Sequence, residues 1–328
     1  MDVSVAGAGS WGTALSLVLA RNSHTVQLLG REDDHFASLR SLRENLTYLP
    51  GYALPKDVEF GVLGVDKPAS DLVVLAVPSG AVREVMQFVA GATTICIASK
   101  GLDPVRGAVL SEVVSEVAPE ANIVALSGPN LAAELARGVP SAAVAASESP
   151  EEAERVRRLF MSKNYRIYVS DDVKGVELAG SLKNVMAIAA GMSDGLGYGD
   201  NTKGALLARG LSEMARLGTK LGARVDTFLG VAGVGDLFAT AVSTLSRNYR
   251  VGYGLGKGRR ISDILEEIGQ VAEGVSTTDA ALRLARQLGV SVPITEVVDG
   301  VIKERLRAKD VVPMLMERAP ASEGGFGS

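Results

Sequence analysis

The chain has 328 residues, room for about two domains, and 47% of them are apolar, enough for sizeable cores. Lys and Arg number 34 against 38 acids, a net charge of −4, which argues against nucleic acid as a main partner. The lone cysteine, Cys96, excludes an intramolecular disulfide and a multi-thiolate metal site; its apolar run Thr94-Ile95-Cys96-Ile97 points to a buried strand residue in a reducing, cytoplasmic setting.

A short strand opens the chain and runs into Gly7-Ala8-Gly9-Ser10-Trp11-Gly12, followed by an Ala/Leu-rich helix to about Ala20. This is G-x-G-x-x-G after a strand and opening a helix, the arrangement that binds a dinucleotide. Gly7 permits the tight turn, Gly9 lets a pyrophosphate near the backbone, and Gly12 lets helix and strand pack closely. The helix start offers unpaired N–H groups to the phosphates. No cation precedes the uncharged run Val3–Ala20 and three glycines interrupt it, so it reads as strand, turn and helix, not as an export leader or a membrane span.

The second strand, Thr25–Leu29, ends in Gly30-Arg31-Glu32-Asp33. An NAD-specific fold places an acid at that strand end to hold the ribose hydroxyls. Here Gly30 occupies the place and Arg31 follows, which favours NADP(H) over NAD(H). His24 and His35 lack metal-ligand or triad context and read as surface residues, so proton chemistry falls to other groups. Residues 34–51 read as a polar helix and loop turning at Tyr48-Leu49-Pro50-Gly51. A short strand is expected near Val58–Phe60, buried strands in the apolar run Asp71–Val77 and at Thr93–Ala98 and Ile123–Leu126, and later strands at Ala142–Ala146 and Arg166–Val169. A helix through Val89 and a charged helix Glu151–Met161 lie among them.

Alternating strands and helices predict a mostly parallel, doubly wound Rossmann-like α/β sheet with right-handed crossovers. Ligands then sit beyond the strands' carboxyl ends, which selects Val77-Pro78-Ser79, Ser99-Lys100-Gly101 and Ser127-Gly128-Pro129-Asn130 as site-lining loops.

After about Ser170 the pattern turns helical, giving a division into 1–170 (dinucleotide binding) and an all-α 171–328 (substrate). Asp171 and Asp172 can cap a helix to about Met192, with Val176, Ala179, Leu182, Met186 and Ala189 as its apolar stripe. Lys183 falls beside that stripe, where lysine is ordinarily solvated, but Gly180, Ser181, Ala187 and Ala190 thin the helix for close packing. Further helices are expected at Thr202–Leu221, Val225–Val231, Asp236–Thr244, Ile261–Ile268, Thr277–Leu288 and Thr295–Leu306, and a loose tail at Ala319–Ser328. Asp236 falls at a helix N-terminus, and Ser246-Arg247-Asn248 precedes a glycine-rich stretch to Gly258. Arginine suits bidentate phosphate binding.

Gly-Ala-Gly-Ser-Trp-Gly-Thr-Ala, Ala-Val-Pro-Ser, Ser-Lys-Gly, Leu-Ser-Gly-Pro-Asn, Ser-Leu-Lys-Asn, Asn-Thr-Lys-Gly-Ala-Leu, Gly-Val-Gly-Asp-Leu, Leu-Ser-Arg-Asn and Val-Ala-Glu-Gly occur in this order from Gly7 onward. In this the chain resembles the NAD(P)-dependent sn-glycerol-3-phosphate dehydrogenases of the soluble bacterial biosynthetic type, from Gly7 to about Leu306. The resemblance implies reversible reduction of dihydroxyacetone phosphate for glycerophospholipid synthesis, with NADP(H) or NAD(H), no metal, no membrane span, and a homodimer. It implies that Ser10, Trp11, Arg31 and Ala132, with the loop glycines, contact the cofactor, and that Lys100 borders cofactor and substrate. Gly128 and Asn130 line the substrate site, and Lys183 donates and accepts the proton. Asp236, Ser246, Arg247 and Asn248 hold the substrate, and Arg247, Val271 and Glu273 approach the cofactor. Asn184 and Thr240 match polar site positions. Departures are Asn130 where Ser is common, Ala133 where Lys is common and Ala241 where Cys is common. Burial and Lys100 are expected to lower the Lys183 pKa, with Asp236 opposing. The alternatives are another lysine-dependent β-hydroxyacid-type dehydrogenase, or a non-catalytic NAD(P)-sensing module that has no need of Lys100, Lys183, Asp236 and Arg247 together.

Overall fold

The computed structural model describes residues 2–316; the tail expected to be loose, 319–328, lies outside them. The chain divides into two compact units, one running to Ser99 and again over Leu110–Val173, the other formed by Lys100–Val109 with the chain from Lys174 onward.

The first unit is a sheet with helices. Its strands are β1 (Val3–Ala6), β2 (Val26–Gly30), the hairpin pair β3 (Glu44–Asn45) and β4 (Leu49–Ala53), β5 (Val58–Val62), β6 (Leu72–Leu75), β7 (Thr94–Ile97), β8 (Asn122–Ser127), β9 (Ser141–Ala146) and β10 (Tyr165–Ser170). The helices are α1 (Ser10–Arg21), α2 (Asp34–Leu42), α3 (Val82–Val89), α4 (Leu110–Val117), α5 (Ala132–Arg137) and α6 (Pro150–Phe160). Eight strands join in the order β10-β9-β8-β7-β6-β1-β2-β5. β1, β6 and β7 are buried along their whole length, as strands covered on both faces must be. The winding reverses between β1 and β6, the switch point where such sheets take ligands.

Two details depart from the sequence reading. β8 and β9 pair antiparallel, with Ala125 opposite Ala146, so the sheet is not parallel throughout. Their connection, residues 128–140, carries the six-residue α5. The expected turn at Tyr48–Gly51 is largely strand β4, paired to β3, because Asn45 accepts the Tyr48 amide and Glu44 the Gly51 amide, which moves the turn upstream.

The second unit is helical: α7 (Val173–Gly195), α8 (Asp200–Lys220), α9 (Val225–Leu229), α10 (Asp236–Ala241), α11 (Arg247–Gly256), α12 (Ile261–Ile268), α13 (Glu273–Leu288), α14 (Pro293–Ile302) and α15 (Ala308–Met316). α7 is its axis. From Gly175 to Ser193 every residue is buried, so the expected stripe has no solvated face opposite it. The glycine-rich stretch 251–256, to which the sequence reading assigned no element, belongs to helix α11. Its glycines serve close packing: a Cβ at Gly252 would lie 1.9 Å from the Ile188 carbonyl oxygen, and one at Gly191 lies 2.1 Å from that of Tyr249. α7 and α11 therefore touch backbone to backbone, and tertiary contact overrides the helix cost of glycine, about 1 kcal/mol per residue. Leu102 and Val109 belong to this unit's core, which explains why Lys100–Val109 clusters with the helices.

Candidate active site

In the first unit the glycine loop has the geometry a dinucleotide requires. Gly7 sits at φ +116°, and a Cβ there would meet the Ala76 carbonyl oxygen at 2.5 Å. Gly12 packs still closer, its Cβ position only 1.8 Å from the Gly7 carbonyl oxygen. At Gly9 a Cβ would meet nothing within 4 Å, so the loop is open where a pyrophosphate must approach. α1 begins with no side-chain cap and no acid in its first turn, so its first amides remain available to an anion. These features fit a bound dinucleotide. The loop is braced by Asn45, which sequence reasoning passed over, and by His35, which it read as a surface residue. The Asn45 amide donates to the Ala8 carbonyl at 3.0 Å and to Thr13 at 2.8 Å, and His35 Nε2 lies 3.3 Å from the same carbonyl. His35 is thus a half-buried brace that also packs edge-on against Tyr48, not a plain surface residue. No local pattern announces this, because the contacts span 27 to 37 positions.

Gly30 explains the missing acid. A Cβ there would fall 2.3 Å from the Phe36 ring, so no side chain fits at the end of β2. Arg31 is the first side chain beyond it and is 84% exposed, with Asp33 at 3.8 Å as a weak partner. Trp11 spends its indole N–H on the Ala98 carbonyl at 3.0 Å, tying α1 to the end of β7, and Ser10 stands half-buried beside it. Ala132, the first residue of α5, packs against the same core as Trp11. Gly128, at φ +153°, has its Cβ position 2.7 Å from the Ala142 backbone. Asn130 donates to the Ala142 carbonyl at 2.9 Å and accepts from the Tyr165 hydroxyl at 3.0 Å. Both ends of its amide are therefore engaged within the first unit.

In the second unit, two lysines 136 and 53 positions away from it converge on one carboxylate. Lys183 donates to Asp236 Oδ1 at 3.0 Å, and Lys100 donates to Oδ2 at 2.7 Å. Thr240, one turn after Asp236 on α10, accepts from Lys183 at 2.6 Å and donates to Asp236 at 3.1 Å. Asp236 and Lys183 are 1% and 6% exposed. Lys183 is buried because α7 has no solvated flank. Asp236 is the first residue of α10, at a helix N-terminus as expected; a π turn, Val231–Gly235, leads into it with Gly235 already helical, and its side chain meets the lysines.

The charges perturb one another. Burial pushes the Lys183 ammonium down to about 8, Lys100 and Arg247 add to that, and Asp236 opposes it. Burial by itself raises the Asp236 carboxyl, but Lys100 and Lys183 outweigh it and hold it below the usual carboxylate range. Two cations around one anion leave a net positive charge in a largely buried cluster, suited to an oxyanion.

Next to this cluster in the chain, Ser246 caps α11 by accepting the Tyr249 amide, and Arg247 and Asn248 occupy the first turn. Arg247 reaches Gln270 at 3.4 Å, and the Glu273 charge offsets the lowering that burial imposes on its guanidinium. Asn248 Oδ1 accepts the Gly274 amide at 2.9 Å, which turns its Nδ2 away from that partner. Asn184, on α7, is buried, with its carbonyl oxygen 2.8 Å from the Cβ position of Gly274. Val271 is half exposed. Thus the structure gathers Lys100, Lys183, Asp236 and Thr240 into one hydrogen-bonded cluster, and Ser246, Arg247, Asn248 and Glu273 around the start of α11. Gln270 and Gly274 are additions that sequence reasoning missed; Gly274 stood in the Val-Ala-Glu-Gly motif, and Gln270 directly precedes it.

Comparison with known proteins covers nearly all of the chain. Residues 2–153 match the family described as NAD-dependent glycerol-3-phosphate dehydrogenase N-terminus, and 172–313 match its C-terminus. A protein named glycerol-3-phosphate dehydrogenase [NAD(P)+] from Geobacillus thermodenitrificans is 46% identical over 330 residues, covering 98% of this chain and 96% of its own. One of the same name from Bacillus thuringiensis is 44% identical over 329 residues, covering 98% and 97%. The crystal structure of glycerol-3-phosphate dehydrogenase from Coxiella burnetii superimposes with a TM-score of 0.93 at 37% identity, covering 97% of this chain and 99% of that one.

Proposed function

The chain belongs to the NAD-dependent glycerol-3-phosphate dehydrogenase family, and we propose that it catalyses the reversible, NAD(P)H-dependent reduction of dihydroxyacetone phosphate to sn-glycerol 3-phosphate. The observation that carries this reading is the buried Lys183–Asp236–Lys100–Thr240 cluster. Bound NAD(P)H supplies the hydride that reduces the C2 carbonyl. Gly7, Gly9, Ser10, Trp11 and Gly12 hold the dinucleotide at the open start of α1, and Arg31 takes a 2′-phosphate. Residues 1–170 thus carry the cofactor and 171–328 most of the substrate contacts, with Gly128, Asn130 and Ala132 contributed by the first segment, and Lys100, Arg247, Val271 and Glu273 serving both ligands.

Lys183 protonates the substrate oxygen as the carbonyl becomes an alcohol. Asp236 and Thr240 use two of its three ammonium donors, leaving one for that oxygen. Its pKa near 8 matches proton donation at working pH. Asp236 keeps two lysines compatible in one buried cluster and fixes their heads, and Thr240 aligns Lys183 through its hydroxyl. Lys100 adds positive potential toward the developing alkoxide. Ser246, Arg247, Asn248 and Asn184 hold the phosphate end, remote binding that orients the carbonyl for attack. The product suits glycerophospholipid synthesis in the cytoplasm, and the enzyme works as a homodimer. Among the described residues no helix is long and apolar enough to cross a membrane.

The test follows NADPH and NADH oxidation with dihydroxyacetone phosphate, and with 3-oxo acids as competing substrates. Turnover of the phosphate ester alone is expected; turnover of 3-oxo acids alone overturns the substrate assignment, and cofactor binding without oxidation overturns catalysis. Arg31→Ala is expected to weaken NADPH more than NADH, and equal losses sink the 2′-phosphate role.

A further inference from the structure

The segment Asn201-Thr202-Lys203-Gly204-Ala205 has no part in the chemistry above, yet its lysine is tied to the helix that starts at the proposed phosphate site. Lys203 lies in the first turns of α8 and donates to Asp194 Oδ2 at 2.7 Å. Asp194 lies in the last turn of α7. The Tyr249 hydroxyl donates to the same Asp194 oxygen at 2.7 Å. Both charges are misplaced for their own helices, since an acid is disfavoured at a helix C-terminus and a cation at an N-terminus. Each is accounted for by the other and by Tyr249. Asp194 and Lys203 are 17% and 18% exposed, and Tyr249 is buried.

Tyr249 is the third residue of α11 and is held at both ends. Its amide donates to the Ser246 hydroxyl at 3.2 Å, and its phenol to Asp194. Its carbonyl oxygen lies against Gly191 of α7, at a distance no β-carbon could tolerate. Burial pushes its phenol up to about 12, with the Asp194 charge adding, so it remains a donor at working pH. Arg247 and Asn248 sit between the two anchored points, Ser246 and Tyr249.

We infer that Asp194, Lys203 and Tyr249 are positioning residues, a clamp joining the end of α7 and the start of α8 to the first turn of α11, and that the clamp sets Ser246, Arg247 and Asn248 for the substrate phosphate. This rests on the reading of that turn as the phosphate site. The clamp's hydrogen bonds run among its own members and to Ser246, not to Lys183 or Asp236, so it acts on phosphate binding and not on the proton transfer.

The experiment compares dihydroxyacetone phosphate with unphosphorylated dihydroxyacetone in the full-length enzyme. Tyr249→Phe keeps the ring and removes only the hydroxyl. It is expected to raise KM for the phosphate ester about 5- to 20-fold, a part of the roughly 10- to 100-fold that one hydrogen bond to a charged group is worth, with kcat within about twofold and kcat/KM for dihydroxyacetone unchanged. Lys203→Met is expected to shift KM in the same direction, and Lys203→Arg to restore it; this pair carries the comparison where Tyr249→Phe does not fold. Equal losses on both substrates, or no loss on either, overturn the clamp. Arg247→Ala separates the two claims. Where it discriminates the substrates and the clamp variants do not, the clamp alone falls. Where Arg247→Ala itself fails to discriminate them, the phosphate site falls, and the clamp with it.

Discussion

Two carboxylates of the helical unit are buried alike, Asp236 at 1% exposure and Glu213 at 2%, yet their surroundings drive them in opposite directions. Glu213 accepts from the Ile294 and Thr295 amides at 2.8 and 3.0 Å and from the Thr295 hydroxyl at 2.5 Å. It caps the start of α14, where amides and the helix dipole favour an anion. Burial still dominates, and its pKa is raised despite those bonds. Asp236 faces two ammonium groups instead, and its pKa is lowered. Burial therefore does not distinguish a structural acid from an acid of the site; the partner does. Fixed backbone donors hold Glu213 for one structural purpose. Asp236 is held by side chains that can exchange protons, and one of them is itself shifted into the working range.

Three experiments press on that contrast. The largest effect is expected from Lys183→Ala, a loss of about a thousandfold or more in kcat, since it removes the proton donor and a site cation together. Cofactor affinity should stay near normal, and a kcat within tenfold of the parent sinks the assignment. The second concerns pH. Reduction needs Lys183 protonated, so kcat/KM for dihydroxyacetone phosphate should fall about tenfold per pH unit above about 8. Oxidation of sn-glycerol 3-phosphate needs the neutral amine and should rise toward a plateau over the same limb. A reduction profile flat from pH 7 to 10 rules Lys183 out as the titrating donor. The smallest catalytic effect belongs to Glu213→Gln. It sets an NH2 against a buried amide, costing about 1–3 kcal/mol. The thermal midpoint should drop by several degrees while kcat and KM stay within twofold; a loss of activity without a loss of stability reverses the contrast with Asp236.

Legibility in the sequence followed the range of the contacts. The glycine loop was fully legible because it works through backbone, over six consecutive residues whose spacing is its geometry. Even the absent acid at Gly30 could be read, although its cause, the Phe36 ring filling the Cβ position, could not. Buried parallel strands were legible from their apolar runs. The antiparallel turn-back at β9 was not, because an apolar run has the same pattern whichever way the strand re-enters the sheet. Helix α11 was not assigned from sequence because glycine's local preference opposes helix, and only the backbone contact with α7 overturns it.

By itself, then, the order of residues determined the cofactor loop, the strand–helix alternation, the helical second half and, through resemblance, the family and its expected site residues. Tertiary structure alone decided which charges meet. Lys100, Lys183 and Asp236 lie in three distant segments, and the pKa of Lys183 exists only where α7 is buried on every side. Periodicity reports which face of a helix is apolar, but it cannot report that the opposite face is also covered. That covering turned an ordinary flank lysine into a desolvated one whose proton is available near neutral pH.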